Sequence, residues 1–351
     1  MPDVTCYRYR IPLANALPGP DGPITHREGV LVEVPHPSGA TCWGEAAPLP
    51  GFSPEPLQDV ISRARAWAHD GGPSRLSASD AARYPDDTPG SLRFALDHIA
   101  LQWAAYTEEI SLRAHMGIDR VMHAGNALWR TPSDRDMRQA LMELQAEGVS
   151  TVKVKVGRDA VDDDLDRLDA LFASLPQGMN VRLDANQAWS VEQAQTVCEA
   201  LQHRRALEYL EEPLVPEADL RAFVEATAVP IALDETVREQ GGEAVADWPV
   251  AALVVKPAWM GIRRVQELAD QTGDTPVVVT SAYESGVGWR GTLAVGAQVT
   301  PAERAIGMGT YRALSEEITH PPIPNVQGKL LLTAPGTLDD WQVRRERLQV
   351  V

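Results

Sequence analysis

The sequence predicts an α/β protein, a (β/α) barrel preceded by a smaller α+β domain. Three observations carry this. From about Asn126 onward, strand-length apolar runs alternate with segments of helical spacing, as in a parallel sheet wound with helices. Before that point the strands come first and the helices after, the order of an α+β unit. In addition, a charged side chain closes one strand after another. From Lys153 to Asp184, Glu211, Asp234 and Lys256 the steps are 31, 27, 23 and 22 residues. Each step is one strand-helix unit, so these residues are expected on one rim of the barrel, the C-terminal face where such folds carry their sites. The number of units favours a barrel; the pattern alone leaves a doubly wound sheet open.

In the first domain, VTCYRYRIPL (4–13) and REGVLVEVP (27–35) read as strands. Between them ANALPGPDGPITH (14–26) is rich in Pro and Gly and reads as a loop. TCWGEAAPLPGFSPEPL (41–57) is a strand end running into a second such loop. LQDVISRARAWAHD (57–70) and SLRFALDHIALQWAAYTEE (91–109) have helical spacing. In the second domain, helices are expected at 133–148, 163–175, 190–204 and 217–228. Ser190 and Gln193 are spaced as a capping box. Strands are expected at STVKVKVG (150–157), NVRLDAN (180–186), ALEYLEEPL (206–214), PIALDET (230–236), VAALVVKPAW (250–259) and TPVVVTSAYES (275–285). The boundaries expected are 1–120 for the α+β domain and 121–319 for the barrel. The segment from about 320 to 351 breaks the alternation and is expected to return to the first domain.

Composition excludes some partners. A net charge of −17 disfavours nucleic acid and anionic membrane surfaces, which select basic proteins. Cys6, Cys42 and Cys198 are odd in number and widely spaced, which fits a reducing compartment and neither a zinc cage nor a disulfide framework. The N-terminus has no basic region followed by an apolar run, and no apolar stretch reaches membrane-spanning length. The expectation is a cytoplasmic protein with a small-molecule substrate and no membrane insertion; oligomeric state is not readable.

Lys153 and Lys155 share one face of their strand. On an edge strand that face meets solvent; in a barrel it meets the site. Each rim residue also has an ordinary reading: Asp184 as a helix cap, Glu211 and Glu212 as a solvated turn, Asp234 and Glu235 as a helix start, Lys256 as a surface lysine. All at one edge, they read as a set. Two carboxylates about 4 Å apart repel by about 4 kcal/mol at a dielectric near 20. A divalent cation relieves this, and all-oxygen ligands on rigid strands favour Mg²⁺, with Mn²⁺ as the alternative. Asp184, Glu211 and Asp234 are the expected ligands, and Asn186 an accessory hydrogen bonder. The two lysines lie about 7 Å apart and repel by about 2 kcal/mol at the same dielectric, so one is driven toward neutrality and suits a general base. Lys256 faces the same point from across the ring.

KVK (153–155), DAN (184–186), EEP (211–213) and DE (234–235) together resemble the enolase superfamily, muconate-lactonizing subgroup. That resemblance spans nearly the whole chain and implies a modified (β/α) TIM-type barrel with an N-terminal α+β capping domain. It makes Glu211 the ligand and not Glu212, and places Glu235 behind Asp234. WGEAAPLPGFS (43–53), VVKPAWMG (254–261), TSAYESGVG (280–288) and IGMGTYRAL (306–314) resemble the o-succinylbenzoate synthase family, the last as its final barrel strand. The implied reaction is metal-dependent dehydration of 2-succinyl-6-hydroxy-2,4-cyclohexadiene-1-carboxylate. Lys155 would be the base, Lys153 would tune it, and Lys256 would steady the anionic intermediate. Ser281, Tyr283, Glu284, Ser285 and Gly286 would form a substrate-binding turn whose backbone amides face the succinyl carboxylate. Segment 14–29 would be a lid. The related activities left open are N-acylamino-acid racemisation, dipeptide epimerisation and muconate cycloisomerisation; a different class is a barrel that binds without turnover.

Overall fold

The computed structural model describes residues 4–76, 84–129 and 136–351. Three strands, β1 (Thr5–Leu17), β2 (Ile24–Pro35) and β3 (Thr41–Ala46), form an antiparallel sheet in that order. Gln349–Val350 from the C-terminus adds a fourth strand beside β1. One face buries Val30, Val32, Val34, Cys42 and Ala46 against the helices Leu57–His69 and Gly90–Thr107. Contact with the second helix is close: a Cβ on Gly44 would lie 2.2 Å from the Ala95 carbonyl oxygen.

Segment 14–29 is not a loop. β1 runs to Leu17 and β2 starts at Ile24, with Pro12 opposite His26 and Leu17 opposite Ile24 across an irregular register. The breakers Pro18, Gly19, Pro20, Gly22 and Pro23 all fall in the six-residue turn 18–23. Residues on either side of it keep their amides and pair. The expected lid is therefore a two-stranded arm with a short tip.

The second unit is a parallel sheet. After β4 (Met122–Gly125) come β5 (Ala127–Trp129), β6 (Thr151–Lys155), β7 (Asn180–Asp184), β8 (Leu207–Glu211), β9 (Ile231–Leu233), β10 (Ala252–Val255) and β11 (Val277–Val279). β5 to β11 pair in chain order with parallel neighbours. The intervening helices include Met137–Ala146, Val161–Ser174 and Val191–Leu201, the last with the Ser190–Gln193 capping box. The first of these was expected from Ser133; residues 133–135 lie outside the described residues.

Ile306 and Gly307 close the ring. Ile306 bridges Gly125 on one side and Gly307 bridges Thr280 on the other, both parallel. The expected final strand at 306–314 thus shrinks to this pair, and Gly309–Ala313 turns into a 3₁₀ helix. Closure is tight, since a Cβ on Gly307 would lie 2.7 Å from the Thr280 methyl. The C-terminal segment divides its contacts: Gly328–Leu331 pairs with β4, while Gln349–Val350 pairs with β1, Val343 and Leu348 pack with Tyr9 and Ile11, and Arg345 meets Glu33. Apolar side chains between sheet and helices form the main core, while Tyr209, Ala232, Ala252, Val254 and Val278 fill the ring from within.

Candidate active site

Register decides what faces into the ring. Lys155 pairs with Asp184, and Asp184 with Glu211, so these three form one layer at the C-terminal ends of β6, β7 and β8. One layer down, Lys153 pairs with Arg182 and Arg182 with Tyr209. The alternation of TVKVK puts valines outward into the core and both lysines inward. Asp234 follows β9, and Lys256 follows β10.

The charges meet closely. Lys153 Nζ lies 2.7 Å from both oxygens of Glu211 and 2.7 Å from Asp184 Oδ2. Lys155 Nζ lies 2.6 Å from the same Asp184 oxygen and also donates to Asn186 Oδ1. Lys256 Nζ donates to Asp234 Oδ2. Burial opposes the charge on Lys153, but Asp184 and Glu211 outweigh it and hold the ammonium well above its usual range. Burial likewise opposes ionisation of Asp184, and the two lysines reverse that and keep it an anion. For Glu211, burial and then the charge of Asp184 push the carboxyl up to about 8. The paired 2.7 Å contacts from Lys153 require the anion, so the geometry holds it ionised.

Among the described residues no three acidic, His or Cys side chains stand in a ready coordination cage. Each carboxylate of the set closes on a lysine instead. The donor set nonetheless fits a divalent cation: three hard oxygen ligands from three consecutive strand ends, with Asp184 and Asp234 both opposing the charge on Glu211. The lysines supply positive charge that a cation would otherwise bring.

Glu212 points the other way. It adopts φ 41° and buries its carboxylate outside the ring, where it accepts from Asp234 N at 2.8 Å and from Thr236 N and Oγ1 at 2.6 and 3.0 Å. It thereby caps the helix Glu235–Gln240. Glu212→Gln is expected to lower stability by about 1–3 kcal/mol while leaving metal affinity within a few-fold, because a buried donor set loses part of its acceptor. Glu211→Gln is expected to lose metal binding with little change in melting temperature. Calorimetric Mg²⁺ titration beside thermal melts separates the two; loss of binding in Glu212→Gln alone would reverse the register.

The remaining expected residues divide. Asn186, at φ 46°, donates to Glu235 Oε1 at 3.2 Å and so joins Lys155 to Glu235. Burial, then Asp234, raises the Glu235 carboxyl. The turn after β11 stands at the rim, with Tyr283 at φ 64°. Its Glu284 and Ser285 side chains are turned into the protein: Glu284 accepts from Ala282 N and Thr292 Oγ1, and Ser285 donates to Glu45. The amides of Tyr283, Ser285 and Gly288 are already given to Thr310 and Glu45. These three amides are satisfied within the protein. Gly286 begins the helix Gly286–Val299, and Ser281 is tied to Gly307 and Thr310.

Two features escaped the sequence reading. Leu128 is paired with Lys153 and so shares its face, yet it is 51% exposed, an apolar side chain open to the mouth of the ring. In the same layer, buried Arg182 forms a two-pronged pair with Glu208 at 2.9 Å, and Arg304 joins the same carboxylate at 2.8 Å. Across the ring, Lys256 Nζ lies 4.9 Å from the centre of the Trp259 ring, which stacks on Phe52. A cavity of about 590 Å³ reaches Asp234, Lys256 and Trp259 from the side of the α+β domain.

Comparison with known proteins fits this arrangement. A family described as enolase C-terminal domain-like matches residues 136–337, and one described as MenC, N-terminal domain, matches residues 1–91. The o-succinylbenzoate synthase of Haemophilus influenzae is 32% identical over 306 residues, 84% of this chain and 86% of that protein. That of Pasteurella multocida is 30% identical, over 90% and 91%. A crystal structure of the Thermosynechococcus elongatus o-succinylbenzoate synthase, with Mg in the active site, is 26% identical with a TM-score of 0.71 over 89% of this chain and 94% of that one. A dipeptide epimerase from Enterococcus faecalis, with a TM-score of 0.80 over 96% of this chain and 99% of that one, is 19% identical and shares the fold. Matched in both its domains and along most of its length, this chain belongs to the o-succinylbenzoate synthase family of the enolase superfamily.

Proposed function

We propose that this chain is a Mg²⁺-dependent o-succinylbenzoate synthase, a hydro-lyase acting on the small molecule 2-succinyl-6-hydroxy-2,4-cyclohexadiene-1-carboxylate in menaquinone biosynthesis. One observation carries the reading: Lys153 and Lys155 from one strand and Lys256 from another converge on the carboxylates of three consecutive strand ends. Membership of the family supports the choice of reaction. No helix among the described residues is long and apolar enough to cross a membrane.

Asp184, Glu211 and Asp234 would hold a divalent cation, which would supply positive charge beside the substrate carboxylate and make the neighbouring C–H more acidic. Lys155, entering the step as the neutral amine, takes that proton and becomes the ammonium. Its side chain is 37% exposed against 12% and 16% for Lys153 and Lys256, so it is the most open of the three to a bound molecule. Asn186, held by Glu235, fixes where the Lys155 ammonium rests. The electron pair of the broken C–H bond becomes a ring double bond as the C–O bond to the hydroxyl breaks. Lys155 returns its proton to the departing oxygen, and the products are water and an aromatic ring. Lys153, fixed between Asp184 and Glu211, stays charged and serves as a fixed positive centre below the reacting atoms. Lys256 places its charge opposite, backed by the face of Trp259. Leu128 offers the ring an apolar seat beside Lys153.

The test is product formation followed by ¹H NMR, with N-succinylamino acids in D₂O as the competing substrates. The reading predicts aromatic proton signals from the cyclohexadiene. Rapid α-proton exchange of an N-succinylamino acid with no aromatic product would replace it with a racemase.

A further inference from the structure

Glu45 lies far from the reacting groups in sequence, yet it is 1% exposed and reaches from β3 into the barrel. Its carboxylate accepts from Tyr9 OH at 2.5 Å, Ser285 N at 2.8 Å, Gly288 N at 2.8 Å and Ser285 Oγ. An anion at that end of the helix Gly286–Val299 is also favoured by the helix dipole. Arg27 on β2 is equally buried, and its guanidinium donates to Tyr283 O at 3.0 Å, Pro48 O at 2.6 Å and Ala47 O. One anion and one cation from the α+β domain thus hold the amides and a carbonyl of the same barrel turn.

The space for this grip is built by glycine. A Cβ on Gly29 would lie 2.6 Å from the Tyr9 hydroxyl, and one on Gly288 would lie 3.0 Å from Glu45 Oε2 and 2.8 Å from Glu284 Cβ. From the barrel side, Gly307 and Thr310 hold Ser281 and the amide of Tyr283. Tyr283 sits between the two sets of bonds at φ 64°, a conformation that an ordinary residue keeps only when its surroundings impose it.

We propose that Glu45 and Arg27 are positioning residues that fix the 281–288 turn, and with it Tyr283, at the mouth of the ring where the substrate enters. The α+β domain acts through them on substrate binding and not on the proton transfers. The inference rests on the dehydratase reading for its kinetic arm only.

The experiment compares Glu45→Gln and Gly288→Ala with wild type. Glu45→Gln replaces a charged acceptor with an amide that offers donors to donors; Gly288→Ala removes no polar group and crowds the Glu45 carboxylate and the Glu284 side chain. Both are expected to raise KM roughly tenfold, the loss of one charge-assisted contact, with kcat within about threefold. Mg²⁺ affinity is expected to stay unchanged. Hydrogen exchange of segment 281–288, read by mass spectrometry, is expected to quicken in both variants and needs no turnover. If Glu45→Gln does not fold, Glu45→Asp keeps the charge, withdraws its reach and is expected to give the same split. A folded variant with wild-type KM, or unchanged exchange in the turn, would overturn the proposal. A wild type that does not dehydrate the cyclohexadiene would instead overturn the reaction assigned, with the exchange arm still deciding the grip.

Discussion

Replacing Lys155 with Ala is expected to reduce turnover by roughly 10³-fold or more, since both proton transfers lose the group that makes them. The effect should fall on kcat. Lys155 contributes little to the fold: its side chain is the most exposed of the three lysines, and Asp184 keeps Lys153 as a partner when it is gone. A melting temperature within a few degrees of wild type, with Mg²⁺ binding retained, is the accompanying expectation. Single-turnover kinetics provide the measurement. A Lys155→Ala enzyme that keeps more than a tenth of the wild-type rate would move the base to another residue, with Lys256 first in line.

Asp184→Asn is expected to have the second large effect, loss of metal binding by roughly 10²-fold or more, because one of three anionic ligands becomes neutral and charge count sets affinity in such sites. The same change disturbs the lysines. Asp184 Oδ2 is the one atom shared by Lys153 and Lys155, so the amide leaves Lys153 on Glu211 alone and Lys155 on Asn186. Turnover should therefore stay low even at saturating Mg²⁺. Isothermal titration with EDTA-treated protein reads the first effect and assays over a Mg²⁺ range read the second. Full recovery at high Mg²⁺ would confine Asp184 to metal binding, and unchanged affinity would remove it from the ligand set.

Much of this was legible in the sequence because strands announce their own ends. KVK, DAN, EEP and DE each combine a period-two apolar pattern with a charge that has no place in a core, and the spacing of one strand-helix unit places them on one rim. What was not legible depended on distance or on brevity. Nothing local in GEAAP marks Glu45 as a partner of Ser285, since 240 residues separate them and only the packed fold brings them together. Leu128 lies in a strand of three residues, too short for a period to show. At 306–314 two residues suffice to close the ring because the neighbouring strands supply the bonds, so a longer strand was expected than was needed. The arm at 14–29 was hidden by its composition: five breakers within a six-residue turn coloured the whole segment. Arg182, two residues before Asp184, shares its inward face, but nothing local pairs it with Glu208 on the next strand.

In the proposed reaction a cation held by Asp184, Glu211 and Asp234 and a base on Lys155 act together on one cyclohexadiene substrate. The most direct test follows the ultraviolet absorbance of 2-succinyl-6-hydroxy-2,4-cyclohexadiene-1-carboxylate with enzyme exhaustively dialysed against EDTA, before and after addition of Mg²⁺. The expected result is no loss of the diene chromophore in EDTA and rapid loss once Mg²⁺ is in excess. Loss at the full rate in EDTA, or a chromophore that persists with Mg²⁺ present, would contradict it.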